Sequence, residues 1–323
     1  MIRYKIAHLK GFDLYHYPSQ KPEHDLPPIL ITFALVNSPA ILDISPERSF
    51  INHLLNLGFS IYLIEWCPPT HSEHSKSLDD YIMGDIHCAV ENVYVREEKK
   101  LLLMGICQGG YFNLCYALRK SERLCGIILL VTPIDFHVPG NRIYQMIKYM
   151  NLNDIEKRMM NVPGWCINQT IFSVSPFLFS LKKIKLLKEA GLTSESELIK
   201  RVEAWAWDCP LQAGKTFFQF TKNCIQENAL VNQRLVIDGK LLKLQSLQIP
   251  VLNIYAAHDP IWPMACAAAL SQHIHPSLYQ EIKHPGGHIG VMMGRAGLAV
   301  LPGNIYEWTH NLLTLVKEDA FTA

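Results

Sequence analysis

The stretch "LLLMGICQGG", residues 101–110, decides the fold of this chain. Its centre, Gly105-Ile106-Cys107-Gln108-Gly109, has the G-x-C-x-G spacing of a nucleophile elbow, with cysteine where an esterase carries serine. In such an elbow the nucleophile occupies a strained turn between a strand and a helix, and flanking glycines let the two backbones pass closely. "LLLMG" predicts the strand, and "YFNLCYALRK" (111–120) predicts the helix, whose N-terminus favours a thiolate at Cys107. A core cysteine that merely packs beside glycines is the alternative.

Short apolar runs on both sides of this stretch predict further buried parallel strands, because they are near-continuous rather than alternating. The predicted strands are "PILITFALV" (28–36), "SIYLIEW" (60–66), "KLLLMGI" (100–106), "GIILLVTP" (126–133), "IPVLNIYAAHD" (249–259) and "SLYQEIKH" (277–284). Helices are predicted at 46–58, ending at Gly58, at 77–95, capped by Ser77, and at about 303–317. Strand and helix alternate, which predicts an α/β fold with a mostly parallel sheet, beginning at about residue 28.

The pattern changes to helical spacing, rich in Met, Trp and Phe, from about residue 137. The helical stretches are "RIYQMIKYMNLNDIEKRMMNVPGW", "SPFLFSLKKIKLLKEAG" and "SESELIKRVEAWAWD". We therefore predict a core in two parts, residues 1–136 and 246–323, interrupted by a helical cap insertion at 137–245 that covers the site and shapes its pocket.

Composition excludes several classes of protein. The chain has 323 residues, 49% of them hydrophobic, with a net charge of +1, so it can bury a large core and has no basic excess for nucleic acid. Residues 1–20 lack the apolar region of a signal peptide, and no long uncharged apolar run predicts a membrane span. Nine scattered cysteines without a C-x-x-C pair predict free thiols in a reducing cytoplasm.

A cysteine nucleophile needs a base, and the base needs an orienting group. In this type of fold the chain order is nucleophile, acid, histidine, with the last two on loops after late strands. Asp259 ends the strand "VLNIYAAHD", and His288 lies in "HPGGHIG" (284–290) after the last predicted strand. The sequence therefore predicts Cys107, Asp259 and His288 as the catalytic residues. A turn acid before Pro260 is the alternative for Asp259.

Other histidines near these positions are weaker candidates. His284 competes with His288, but it lies at the strand end, whereas His288 lies in the glycine turn. His258 is interpreted as a bystander or a pocket residue. His71 and His74 have a spacing seen in metal sites, but no third ligand lies nearby in the sequence, so no metal site is predicted.

An oxyanion hole is predicted from two backbone N–H groups. One belongs to the residue after the nucleophile, Gln108. The second comes from the loop after an early strand, here "ALVNSPAILD", which gives Val36 or Asn37 as the donor.

The chain resembles polyhydroxyalkanoate synthases, which belong to the α/β-hydrolase superfamily, and most closely the short catalytic subunit of the two-subunit (class III) type. The resemblance covers roughly residues 28–295, through "ITFALVNSPAILDISPERSF", "YLIEWCPP", "SLDDYIMGDI", "GICQGGYFNLCYA", "VTPIDFHVPGN", "VPGW", "WDCPLQAGKTFFQF", "VLNIYAAHDPIWP" and "HPGGHIG". "GICQGG" together with the late aspartate and "GGHIG" is more specific than the elbow alone. Glu65, where the family often has aspartate, and the short segment before residue 28 depart from the pattern.

The resemblance implies an acyltransferase that polymerises (R)-3-hydroxyacyl-CoA, of short chain such as 3-hydroxybutyryl-CoA, and releases CoA, with no separate cofactor. Cys107 would be the acylated nucleophile and His288 its base, while Asp259 would orient His288 or activate the substrate 3-hydroxyl. The enzyme would work in the cytoplasm at the surface of a storage granule, with a second non-catalytic subunit or as a homodimer. The elbow alone also permits a thiol-dependent esterase or depolymerase, and a granule protein without activity is the third hypothesis.

Overall fold

An eight-stranded sheet forms the centre of the protein, in a computed structural model that describes residues 2–19, 21, 25–153, 160–174 and 194–322. The strands are β1 (Tyr4–Leu9), β2 (Phe12–Tyr17), β3 (Ile29–Thr32), β4 (Ile61–Trp66), β5 (Leu101–Ile106), β6 (Leu124–Leu130), β7 (Val251–Ala256) and β8 (Tyr279–His284). Their order in the sheet is β1-β2-β4-β3-β5-β6-β7-β8. Strand β2 is antiparallel to β1 and β4, and the other neighbours pair in parallel. The predicted mostly parallel sheet is therefore confirmed.

Helices lie along both faces of this sheet. The α-helices in the described ranges are α1 (Phe50–Asn56), α2 (His87–Glu97), α3 (Gln108–Arg119), α4 (Arg142–Ile147), α5 (Gly164–Val174), α6 (Ser194–Trp207), α7 (Gly214–Gln219), α8 (Met264–Ala268), α9 (Gly290–Met293) and α10 (Arg295–Thr322). Side chains alternate along β5, so Leu101 and Leu103 join the core under α2 and α3, while Leu102 and Met104 join the core under α1 and α10. Both faces of the central strands are covered, which explains their continuous apolar sequence. None of the helices in the described ranges is long and apolar enough to cross a membrane.

The sheet begins earlier than the sequence predicted. Strands β1 and β2 form an antiparallel hairpin before residue 28, where no strand was expected. Strand β1 has no fully buried residue, and β2 buries only Phe12, Leu14 and Tyr17. This hairpin lies at the edge of the sheet and has one solvent-exposed face, so it lacks the continuous apolar run that marks a central strand. The sequence-based prediction missed it for that reason.

Several helix ends also differ from the predictions. Helix α1 begins at Phe50 rather than at 46, because the preceding residues form a short antiparallel pair, Asp43–Ser45 with Arg48–Ser49. The predicted helix 77–95 is π-helical at Asp80–Ile86 before α2, and Ser77 caps it as predicted, since its hydroxyl accepts the Asp80 N–H at 3.3 Å. Helix α10 begins before the predicted residue 303, because Pro302 lies inside the helix rather than at its start.

The chain between β6 and β7, the β6–β7 segment, contains α4 to α7 and π-helical turns at Phe220–Gln226. The predicted helix "SPFLFSLKKIKLLKEAG" and part of the one before it lie outside the described residues. The domain boundaries at 136/137 and 245/246 stay a prediction.

Close backbone approach fixes the turn between β5 and α3. A Cβ atom on Gly109 would overlap the carbonyl oxygens of Thr32 and Phe33 at the end of β3, and one on Gly110 would overlap the buried side chain of Thr132. The N-terminus of α3 is therefore pressed against the ends of its neighbouring strands. The glycines in the elbow sequence are a steric requirement of this packing.

Gly110→Ala is expected to lower the free energy of unfolding by about 1–3 kcal/mol, because overpacking at a closed site forces side chains or backbone to shift. Gly303→Ala in α10 is the matched control: no described atom lies within 4 Å of its Cβ position, and alanine favours a helix over glycine by up to about 1 kcal/mol. Urea denaturation followed by circular dichroism measures both. Equal stability of Gly110→Ala and the parent would contradict the steric argument.

Candidate active site

Cys107 occupies the strained turn that the sequence predicted for a nucleophile. Its backbone has φ 54° and ψ −122°, a conformation that residues other than glycine rarely adopt. The Cys107 N–H donates to the carbonyl of Leu130 at 2.9 Å, and α3 begins at the next residue. The side chain is half-buried and lies on the wall of a cavity, so the thiol is held at a helix N-terminus and within reach of a ligand.

Asp259 and His288 come together from loops after β7 and β8. His288 Nδ1 lies 2.6 Å from Asp259 Oδ2, and both side chains are at least nine-tenths buried. Asp259 Oδ1 accepts the backbone N–H groups of Ile261 and Trp262 at 2.8 and 3.1 Å. A carboxylate accepts hydrogen bonds, so Nδ1 of His288 donates to Asp259, and the His288 side chain also hydrogen-bonds to Cys107.

The charge state of His288 is set by competing effects. Burial lowers the pKa of the imidazole, but the negative charges of Asp259 and Cys107, and hydrogen bonds to both side chains, raise it more strongly. The His288 pKa therefore lies well above its ordinary value. This arrangement favours an imidazolium ion at His288, beside Asp259 and Cys107, and a neighbouring imidazolium supports a thiolate nucleophile.

His284 has a different environment from His288. Its Nδ1 accepts the Gly286 backbone N–H at 2.9 Å within the turn, and burial lowers the pKa of its imidazole. The structure thus brings Cys107, Asp259 and His288 together and leaves His284 as a structural residue of the loop.

A cavity of about 480 Å³ lies beside Cys107. Cys107 and His288 both line it, together with mostly apolar side chains from the loop after β3 and from α4, α5 and α7. The β6–β7 segment thus supplies much of the wall opposite the sheet. A cavity lined mostly by apolar side chains with a few polar groups suits the acyl part of a substrate.

The candidate oxyanion donors lie on this cavity as well. Gln108 is in the first turn of α3, where a backbone N–H has no intrahelical acceptor, and Val36 and Asn37 lie in the loop after β3. The Gln108 side chain has a role that the sequence did not reveal: its Oε1 accepts the Leu35 N–H at 3.1 Å. This hydrogen bond joins the elbow directly to the loop after β3. The assignment of Val36 or Asn37 as the second oxyanion donor stays a prediction.

Other thiols and a group of metal-ligand side chains lie elsewhere in the described residues. All nine cysteines are free. Among the described residues, His8, Asp13 and Cys67 bring ligand atoms within 4.8 Å of one another. Lys5 Nζ lies 2.6 Å from the Asp13 carboxylate. The lysine ammonium group therefore already supplies the positive charge that a metal ion would bring to this cluster.

In sequence, this chain is similar to subunits of a polymerase. The chain is 37% identical over 286 residues to the poly(3-hydroxyalkanoate) polymerase subunit PhaC of Thiocystis violacea, covering 87% of this chain and 80% of that protein. It is also 37% identical over 304 residues to the PhaC subunit of Allochromatium vinosum, covering 91% and 84%. No family model matches the chain.

Two solved structures with a similar fold and low sequence identity are hydrolases. A monoacylglycerol lipase of Paleococcus ferrophilus has a TM-score of 0.55 at 16% identity, covering 93% of this chain and 99% of that one. An α/β fold family hydrolase of Bacillus anthracis has a TM-score of 0.51 at 16% identity, covering 93% and 95%. These similarities confirm the α/β-hydrolase fold.

Asp259→Asn is expected to slow alkylation of Cys107 by iodoacetamide at pH 7 by about tenfold, the effect of a pKa change of about one unit. Removing the carboxylate charge lowers the His288 pKa, so the imidazolium supports the thiolate less well at neutral pH. The alkylation rates of the two proteins should converge at alkaline pH, because ordinary thiols ionise above a pKa of about 8.5 without an imidazolium partner. Peptide mapping by mass spectrometry follows Cys107 alone.

Asp238→Asn is the matched control, because Asp238 is an exposed acid paired with Arg119 far from the cavity. Its alkylation profile should overlay that of the parent. Equal rates for Asp259→Asn and the parent at pH 7 would contradict the assigned electrostatics.

Proposed function

This chain belongs to the family of PhaC subunits of poly(3-hydroxyalkanoate) polymerase, and on that premise we propose that Cys107, His288 and Asp259 carry out its acyl transfer. The chain is thus an enzyme of the acyltransferase class that makes a polyester. The observation that carries the residue assignment is the line of contacts from Asp259 through His288 to Cys107 at the wall of an apolar cavity. The substrate is an (R)-3-hydroxyacyl-CoA, and no cofactor is required, since CoA enters as the thioester and leaves as the thiol.

The first half-reaction acylates Cys107. His288 holds the proton of the Cys107 thiol, and the thiolate attacks the thioester carbonyl of the substrate. The tetrahedral oxyanion accepts hydrogen bonds from the Gln108 N–H and from an N–H of Val36 or Asn37. As the intermediate collapses, the bond to the CoA sulfur breaks and the His288 imidazolium gives its proton to that sulfur. The products are CoA and a thioester on Cys107.

The second half-reaction forms the ester. Neutral His288 takes the proton of an acceptor hydroxyl, and the hydroxyl oxygen attacks the Cys107 thioester. Collapse of this second intermediate releases the Cys107 thiolate beside the His288 imidazolium, so the starting state returns. The ester bond lengthens the chain by one unit.

An orienting role is proposed for Asp259. Both of its oxygens are engaged, one by His288 and the other by the Ile261 and Trp262 N–H groups, and the side chain is 5% exposed. These contacts support a residue that fixes the tautomer and charge of His288 rather than one that reaches the substrate hydroxyl.

A thiol suits this reaction better than an alcohol would. Attack of a thiolate on a thioester exchanges one thioester for another, so the step is nearly isoenergetic and the acyl group stays reactive. Water would hydrolyse the acyl-enzyme, and the apolar wall of the cavity supports its exclusion.

We also propose that the enzyme acts on short acyl chains, in the cytoplasm at a granule surface, with a second non-catalytic subunit or as a homodimer. The resemblance to the two-subunit type supports the partner, and the relatives are themselves named as subunits. Exposed aromatic side chains on the β6–β7 segment, Tyr149, Trp165 and Trp207, support contact with an apolar surface.

The test uses the purified full chain, with and without a candidate partner subunit, and (R)-3-hydroxybutyryl-CoA. The parent should release CoA and form polymer. Cys107→Ala should lower CoA release by about 10³-fold or more, because loss of a nucleophile removes the covalent route. Cys88→Ala, a half-buried thiol away from the cavity, is the matched control and should keep the parent's rate.

Two outcomes would overturn the proposal. Unchanged CoA release by Cys107→Ala would exclude this residue as the nucleophile. Release of free 3-hydroxy acid without polymer, with and without the partner, would assign a thiol-dependent hydrolase instead.

A further inference from the structure

We propose that Asn37 and Trp205 are positioning residues, which lock the loop of the candidate oxyanion donor onto the end of helix α6. This loop, residues 35–38, is called the oxyanion loop below, and its hydrogen bonds to α6 are called the latch. The inference rests on the proposed acyl transfer at Cys107, because it concerns how the oxyanion of that reaction is stabilised.

Asn37 supplies one side of the latch. Its Nδ2 group donates to the carbonyl oxygens of Trp205 at 2.9 Å and Ala206 at 3.2 Å, with Asp208 O at 3.4 Å. Carbonyls in the last turn of a helix lack most of their intrahelical donors. Trp205 O also accepts the Asp208 N–H at 3.1 Å, and the Asn37 amide adds donors to this turn at the C-terminus of α6. Asn37 has φ 62°, a left-handed conformation that asparagine tolerates better than most residues.

Trp205 supplies the other side. Its indole Nε1–H donates to the carbonyl oxygen of Ser38 at 2.7 Å, so the loop and the helix exchange hydrogen bonds in both directions. The indole also lines the cavity beside Cys107. A donor and an acceptor on each partner fix both the distance and the rotation between them, which a single contact would not do.

The opposite end of the oxyanion loop is held by the elbow. Gln108 Oε1 accepts the Leu35 N–H, and the candidate donor Val36 lies between this contact and Asn37. Val36 is thus flanked by one tie to the nucleophile turn and one tie to the β6–β7 segment. Removing the second tie leaves its N–H aligned from one side only.

The C-terminal turn of α6 is also fixed from within the β6–β7 segment. Asn168 Nδ2 donates to the Trp207 carbonyl at 3.1 Å, and the Phe172 and Trp207 rings stack with centroids 4.5 Å apart. Helix α6 is therefore tied to α5 and to the oxyanion loop at the same turn. The position of the cavity wall and the position of the donor are coupled through this turn.

The latch acts on the transition state, so its loss should lower kcat rather than raise KM. Removing a whole oxyanion donor costs about 10²–10³ in kcat, and misplacing one should cost less. We expect Asn37→Gly to lower kcat for CoA release by about 10- to 100-fold with KM changed less than about threefold. Glycine removes the amide and keeps the positive φ, so backbone strain does not confuse the result.

Two further variants sharpen the test. Asn37→Asp keeps size and conformation but presents an acceptor to three carbonyl oxygens, and should lower kcat at least as much as Asn37→Gly. Trp205→Phe keeps an aromatic ring at the cavity and removes only the donor to Ser38. If both ties serve one latch, the double variant Asn37→Gly, Trp205→Phe should lose less than the product of the two single losses.

Glu98→Gly is the matched control. Glu98 also has a positive φ of 54°, at the end of α2, and lies far from the cavity lining. It tests whether an added glycine at a left-handed position lowers turnover by itself. Its kcat should equal that of the parent.

Alkylation of Cys107 by iodoacetamide separates positioning from collapse of the site, because that reaction forms no oxyanion. In the Asn37→Gly variant, iodoacetamide should alkylate Cys107 within about twofold of the parent's rate while turnover falls. Donor misalignment predicts a fall in turnover of at least about tenfold, so the two effects can be told apart. Parent-like kcat in Asn37→Gly and Trp205→Phe, or alkylation that falls in parallel with turnover, would overturn the inference. Turnover that does not depend on Cys107 would instead overturn the proposed function, so the two failures are distinguishable.

Discussion

The strained backbone at Cys107 is the constraint on which the rest of the structure depends. A residue held at φ 54° costs about 1–3 kcal/mol, which its surroundings must offset. The offset comes from the Leu130 carbonyl on β6 and from the start of α3, pressed so close to β3 and Thr132 that only glycine fits at 109 and 110. Three neighbouring strands must therefore be assembled before the turn is stable. The position of the Cys107 thiol therefore depends on the packing of the strands at the centre of the sheet.

This centre could be predicted from the sequence because its signals are local. Continuous apolar strands, the glycines around Cys107, and a late aspartate and histidine in the right order each occupy a few consecutive residues. The β1–β2 hairpin lacked such a signal, because one face of an edge strand is wet, and the start of α10 was hidden by Pro302 inside the helix. The contact of Asn37 with α6 joins residues 168 positions apart and leaves no trace in either segment. Tertiary hydrogen bonds of this kind require the structure.

The electrostatics explain why cysteine and histidine work together in this cavity. An apolar wall alone would keep the imidazole neutral, since burial lowers its pKa. Asp259 reverses that effect, and it can do so because two backbone N–H groups hold its own charge in place. A thiol gives up its proton far more readily than an alcohol does, so an imidazole with a raised pKa suits a cysteine nucleophile. The apolar cavity, the anchored aspartate and the thiol therefore act together in the proposed mechanism.

Helix α6 joins the cavity wall to the oxyanion loop. Helix α6 contacts the core through Arg201, whose guanidinium donates to Ile44 O at 3.4 Å, and through the latch at Asn37 and Trp205. It contacts α5 through Asn168. Because the hydrogen bonds of the latch join the end of α6 to Asn37 and Ser38, a displacement of α6 would also act on the neighbouring Val36. Trp205 and Ala206 of α6 line the cavity as well. On the proposed mechanism, a change in the position of α6 would therefore change the alignment of the oxyanion donor together with the shape of the cavity.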